Sequence, residues 1–241
     1  MANGSGSRGR GGSPLRRGGP ARAAAKGRPR PTPKPSRRAE PTPPSEPREF
    51  RLGAVPGATP GKWIGLWRER VPHVTLELHD IAVSSQRDAL ADVDAALVRL
   101  PLAAPDDAHV IELYDELPVV VMAAESHLAA ADELTLADLA GEVVIVPVDD
   151  VLKAEVPDAA PPAFSSPLDT AEAIATVAAG IGVVIVPMSL ARAHQRRDVE
   201  HRVLTDGPRS TVALAWLRDR TTDDVETFVG IVRGRTARSS R

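Results

Sequence analysis

The 241-residue sequence predicts an α/β fold built on parallel strands. Three observations carry this. From Phe50 onward, β-branched apolar runs alternate with runs of helical period, which implies parallel pairing through right-handed crossovers. Hydrophobic residues make up 42% of the chain, enough for a sizeable core. The stretch "ATVAAGIGVVIVPMSLA", from Ala175, places a helix, two glycines and a buried strand in that order.

Taken in order, residues 1–49 come first. They are rich in Gly, Pro, Arg and Ser, with too few apolar residues to offset the entropy of ordering. They hold 12 of the 30 Lys and Arg residues but 3 of the 32 Asp and Glu, so a basic tail precedes an acidic body. Disorder with polyproline stretches is expected here. Two roles stay open for it: a solubilising tail, or weak salt-sensitive contact with nucleic acid or another polyanion. No aromatic residue is interleaved for base stacking.

"FRLGAV" reads as the first strand. "TPGKWIGLWRERV" follows as a helix, with Thr59 as N-cap and Pro60 at the first helical position. "HVTLELHDI" alternates as a strand. "SSQRDALADVDAAL" becomes a helix capped by Ser84 or Ser85, and "AALVRLP" is a third, buried strand. "HVIELYDELPVVVMAAESH" supplies two more strands. "TLADLA" is a short helix with a Thr135–Asp138 capping box. "EVVIVPV" reads as a buried strand, residues 149–162 as a proline-broken segment, and "PAFSS" as a possible strand. "DTAEAIATVAA" is a helix capped by Asp169, with Glu172 closing the box. "EHRVL" and "STVALAWLRD" are strands, and "TDDVETFVGIVRGR" is the last helix.

Several function classes lack their signature. The absence of cysteine excludes disulfide scaffolds, thiol catalysis and thiolate metal sites. No apolar run approaches the roughly 18 residues of a membrane helix, and no secretory signal opens the chain. The six histidines, His73, His79, His109, His127, His194 and His201, show no metal spacing and read as surface or loop residues. There is no Gly-x-Ser-x-Gly elbow and no Walker loop. Asp149–Asp150 and Asp223–Asp224 are sequence neighbours that point different ways, so solvated charge is the reading. Trp63 and Trp67 share a helix face, with core packing as the default and a partner surface as the alternative. The glycines of the 175–191 stretch follow a helix rather than precede one. A phosphate loop requires the reverse order, so Gly180 and Gly182 are assigned to a structural turn.

"TVAAGIGVVIVPMSLA" resembles the helix–Gly-x-Gly–strand–Pro signature of the effector-binding domain of LysR-type transcriptional regulators. "FRLGAVPGATPGKWIGLWRERVPHVTLELHD", "SSQRDALADVDAALVRLP", "PVVVMAAESHLAAADELTLADLAGEVVIVP" and "VALAWLRDR" resemble further stretches of that family in the same order, covering about residues 50–235. The resemblance implies a two-lobed type 2 periplasmic-binding-protein fold with a ligand cleft between lobes. Lobe I would take residues 50–117 and 217–236, and lobe II residues 118–216, with crossings near Leu117–Pro118 and Trp216–Leu217. Two departures stand out. Residues 1–49 lack the period of a winged helix-turn-helix, so operator reading is not expected. The segment 149–162 has no room for the family's full helix, so lobe II is expected to be reduced.

The resemblance also implies ligand positions at helix N-termini and strand ends facing the cleft. These are Thr59, Pro60, Gly61 and Lys62, where free amides would take a carboxylate; Leu100, Pro101 and Leu102, as an apolar wall; Val148 and Asp149; and Ser165, Ser166 and Asp169. A carboxylate already fills the helix end at Asp169, which favours Ser165 or Ser166 for an anion. The function implied is a stand-alone, cytoplasmic effector-binding domain. It would bind a small organic, carboxylate-bearing ligand without a cofactor and act on transcription through a homodimer or a related regulator. The alternatives are a ligand-free interaction module with a degenerate cleft, a transport-type solute-binding protein, and an enzyme on the same scaffold. The last lacks a catalytic constellation.

Overall fold

In a computed structural model of the chain, residues 48–103 and 105–234 are described. The expected disorder of the tail therefore lies, up to residue 47, outside the described residues, as does the expected absence of a helix-turn-helix there. The first strand, β1 (Arg48–Ala54), takes in Arg48 and Glu49, two residues assigned above to the tail. Strand pairing is a backbone property, and Arg48 also reaches Asp224 at 3.0 Å.

The remaining elements follow as α1 (Gly61–Arg70), β2 (Val74–Asp80), α2 (Gln86–Ala89), β3 (Ala95–Arg99), β4 (Ala108–Glu116), β5 (Pro118–Ala123), β6 (Glu133–Leu134) and β7 (Val144–Ile145). Then come α3 (Thr170–Ala178), β8 (Val183–Pro187), α4 (Met188–Ala193), β9 (Val199–Leu204), β10 (Ser210–Leu217) and α5 (Asp223–Val232). They form two five-stranded sheets, ordered β2-β1-β3-β10-β4 and β6-β9-β5-β8-β7. The chain enters the second sheet through Leu117 and returns after β9. The return precedes β10, because all of β10 pairs antiparallel with β3 and β4 of the first sheet. The crossing expected near Trp216–Leu217 thus falls at Thr205–Arg209. Residues Ser210–Trp216 belong to the first lobe, placed there by their ladder with β4, which begins at Ser210 opposite Glu116.

Period-2 alternation sorts each strand between two cores. Phe50, Leu52, Leu97 and Leu214 face α1 and α5, while Val98, Ala213 and Ala215 pack the opposite face. Both faces are covered, so the strands read as continuous apolar runs. Phe50, Trp67 and Phe228 meet with ring centroids 4.6 to 5.9 Å apart. Trp67 is fully buried and donates its indole N–H to Val74 O at 3.1 Å, so the core reading holds for it. The second sheet is sandwiched likewise: Val119, Val121 and Val184 face α3, with Val120, Met122 and Ile185 on the other side.

Local chemistry explains the differences from expectation. Pro60, not Thr59, takes the N-cap position of α1, because Pro60 O accepts the first helical amides from Trp63 and Ile64. The second helix is one short turn, α2, with no side-chain cap from Ser84 or Ser85. The "EVVIVPV" strand shrinks to Val144–Ile145. Pro147 has no amide to give, and Asp150 folds the next residues by accepting from Leu152 N and Lys153 N at 3.0 Å each. "PAFSS" forms no strand, and no helix lies between β7 and α3. Asp169 caps α3, accepting from Glu172 N at 2.8 Å. Glu172 reaches back to Leu168 N rather than to the cap residue. Gly180 and Gly182 both have positive φ, and a Cβ on Gly182 would lie 2.1 Å from Val143 O. The turn is structural, as its order of elements implied.

Candidate functional site

The two lobes meet where β4 hands the chain to β5. Glu116 ends β4, Leu117 follows, and Met188 N donates to Leu117 O at 3.0 Å, so α4 starts against the crossover. A cavity of about 740 Å³ opens beside this junction. Its lining comes from both lobes: Gly57, Ala58 and Thr59 before α1, Tyr114 to Leu117 at the crossover, and Met188, Ser189, Arg192 and Ala193 on α4. The volume falls within the roughly 300–1,000 Å³ usual for small-molecule sites.

Behind the cavity lies a buried polar cluster. Arg99, the last residue of β3, is 2% exposed, and Glu116 is 9% exposed. Arg99 Nη1 donates to Glu116 Oε2 at 2.6 Å and to Ser210 Oγ at 2.7 Å. Arg99 Nη2 donates to Pro56 O at 3.1 Å and to Ser189 Oγ at 3.2 Å. Ser189 Oγ in turn donates to Glu116 Oε2 at 3.0 Å. Gln86 fixes the backbone of Arg99 from both sides, donating to its carbonyl at 2.7 Å and accepting its amide at 2.9 Å. A charge inside a fully buried strand is held by pairing of this kind.

Tyr114 stands at the cavity wall. Burial raises its hydroxyl above the ordinary 10.0 and the Glu116 carboxylate adds to the rise, while Arg99 and a hydrogen bond from the Thr59 amide pull it down. The site offers hydroxyls at Tyr114 and Thr59, a guanidinium at Arg192, a carboxylate at Asp115, and apolar surface at Leu117 and Met188, while Ser189 and Glu116 on its wall are engaged with Arg99. Asp115 is engaged by Thr211 Oγ1 at 2.7 Å. No group of three His, Asp or Glu side chains disposed to hold a metal occurs among the described residues.

Of the residues singled out in the sequence, Thr59 lines this cavity. Pro60 is buried, and Gly61 and Lys62 are exposed on the first turn of α1. Leu102 is packed into the core and Leu100 lies against it, with Pro101 exposed between them. Val148 is 71% exposed, Asp149 accepts from Thr170 Oγ1 at 3.0 Å, and Asp169 is the α3 cap. Ser165 and Ser166 lie exposed in the loop before α3. Sequence reasoning missed Arg99, Glu116, Ser189 and Ser210. One signal was present: a lone arginine inside "AALVRL", a strand otherwise wholly apolar.

With this geometry in place, the comparisons with known proteins decide the family. The profile of the LysR substrate binding domain matches residues 45–237. The chain belongs to that family. Among curated relatives, the Hca operon transcriptional activator HcaR of Escherichia coli (strain K12) is 25% identical over 207 residues, 80% of this chain and 69% of that protein. Among solved structures, the oxidised form of OxyR superposes with a TM-score of 0.62 at 20% identity, over 78% of this chain and 95% of that one. The BenM effector-binding domain with its effector benzoate gives 0.63 at 20% identity, with the same coverage of both chains. At these identities the structural likeness speaks for the fold, a two-lobed type 2 periplasmic-binding-protein architecture. No helix among the described residues is long and apolar enough to cross a membrane.

Proposed function

We propose that this LysR substrate-binding domain is a non-enzymatic sensor of a small organic acid. The acid binds in the cavity at the lobe junction, with Arg192 facing its carboxylate and Tyr114 and Thr59 offering hydroxyls. The observation that carries the reading is the cavity's lining, drawn from both lobes and from the crossover between them. A ligand held there contacts the elements whose relative position defines the lobe arrangement. BenM, of the same fold, has benzoate as its effector, which sets the class of the first probes. The sensor acts in the cytoplasm on transcription, through a second copy or a related regulator.

The test is thermal denaturation of the full chain with benzoate and a panel of small aliphatic and aromatic carboxylates. A rise of several degrees that is lost in Arg192→Gln supports the reading. A cooperatively folded protein that no member of the panel shifts overturns it. A second reading, an interaction module without ligand, draws on Val148 and Leu168, which are 71% and 77% exposed. It predicts that complex formation is weakened by Val148→Ser and Leu168→Ser.

A further inference from the structure

We infer that Ser189 is an inter-lobe latch, a positioning residue that sets the angle between the two lobes at the site proposed above. The bonds to the buried Arg99 cluster divide by lobe. Glu116, Ser210, Pro56 and Gln86 all belong to the first lobe or to the crossover out of it. Ser189, on α4, brings the second lobe into the cluster. Its hydroxyl accepts from Arg99 Nη2 at 3.2 Å and donates to Glu116 Oε2 at 3.0 Å, so one oxygen joins both ends of the ion pair.

The backbone opposite is shaped to receive it. Gly57 has a φ of +83°, and a Cβ there would lie 2.4 Å from Ser189 Oγ and 3.0 Å from Arg99 Nη2. A side chain at position 57 would take the space that the Ser189 hydroxyl and the Arg99 guanidinium fill. The joint is therefore a hydroxyl set against a bare backbone, on a charge pair that is itself fixed. Packed interfaces of this kind favour discrete arrangements over continuous bending. Gly57, Glu116 and Ser189 also line the cavity. This link between occupancy and lobe angle rests on the effector reading; the latch itself does not.

The absence of cysteine makes the test direct. The full chain carries spin labels at Glu226→Cys on α5 and Arg197→Cys beyond α4, both exposed, and is diluted with unlabelled chain. Pulsed electron paramagnetic resonance then reads the distance between lobes without ligand. Ser189→Ala is compared with Ser210→Ala, which removes another hydroxyl from the same guanidinium but within the first lobe. The latch requires Ser189→Ala to shift the distribution by roughly 3 Å or broaden it about twofold, with Ser210→Ala matching the parent. An unchanged distribution in Ser189→Ala overturns the inference, and so do equal changes in both variants. Neither result bears on carboxylate binding, which the thermal panel decides separately.

Discussion

Arg99 and Glu116 form a buried ion pair at 2.6 Å, joining the end of β3 to the end of β4 where the chain leaves the first lobe. Both strands flank β10 without touching each other in the sheet order, so the pair bridges across the first residue of β10, Ser210.

Removing one partner leaves the other charge buried and uncompensated. Glu116→Ala is expected to lower unfolding stability by about 3–5 kcal/mol, measured by urea denaturation. The double variant Arg99→Met/Glu116→Leu is expected to recover most of that loss, since an apolar replacement of the whole pair leaves no orphan charge. A double variant as unstable as the single one contradicts this account of the pair.

The chain's single tyrosine allows an unambiguous pH experiment. Near-ultraviolet titration of the folded protein reads Tyr114 alone, and its midpoint should lie above 10.0, because burial and then Glu116 raise it. A phenol whose folded value exceeds its unfolded one contributes stability that is complete below pH 10. That contribution is lost as pH rises through the folded value. Denaturation midpoints should therefore fall faster with alkali in the parent than in Tyr114→Phe.

Two helix starts give opposite expectations. Asp169→Ala removes a cap bond at 2.8 Å from α3 and should cost about 1 kcal/mol. Thr59→Ala removes no cap bond from α1, and its cost should stay within about 0.5 kcal/mol. A ligand effect of Thr59→Ala would then not be confused with unfolding.

Gly182→Ala combines a left-handed backbone with a Cβ set against Val143 O. A loss of about 3 kcal/mol or more is expected, against a smaller loss for Gly180→Ala, which meets nothing within 4 Å. Thermal melts of the two variants check the order.

Much of the fold was legible because its cues are local. Alternation in "FRLGAV" and "VVIVP", the Asp169 cap and the glycine turn each act within a few residues. The errors arose where distant partners decide. Ser210–Trp216 reads as a strand in isolation, but its sheet is chosen by β3 and β4, about a hundred residues earlier. The "EVVIVPV" run has the composition of a long strand, yet Pro147 and the Asp150 turn stop it after Ile145. The site was harder still. Thr59 was reachable from helix-end logic, but the pairing of Arg99 with Glu116, Ser189 and Ser210 spans up to 111 positions, and no spacing rule covers such a set.

The late return of β10 bears on synthesis. All strands of the second lobe lie between Pro118 and Leu204, whereas β4 of the first lobe meets its sheet through β10, which emerges last but one element. During translation the inserted lobe has its full complement of strands while the host lobe still lacks a central one. Chain termination or a ribosomal stall before Ser210 would yield a finished second sheet attached to an open first sheet, with the edges of β3 and β4 bare. Such a fragment carries the pairing surface that invites aggregation.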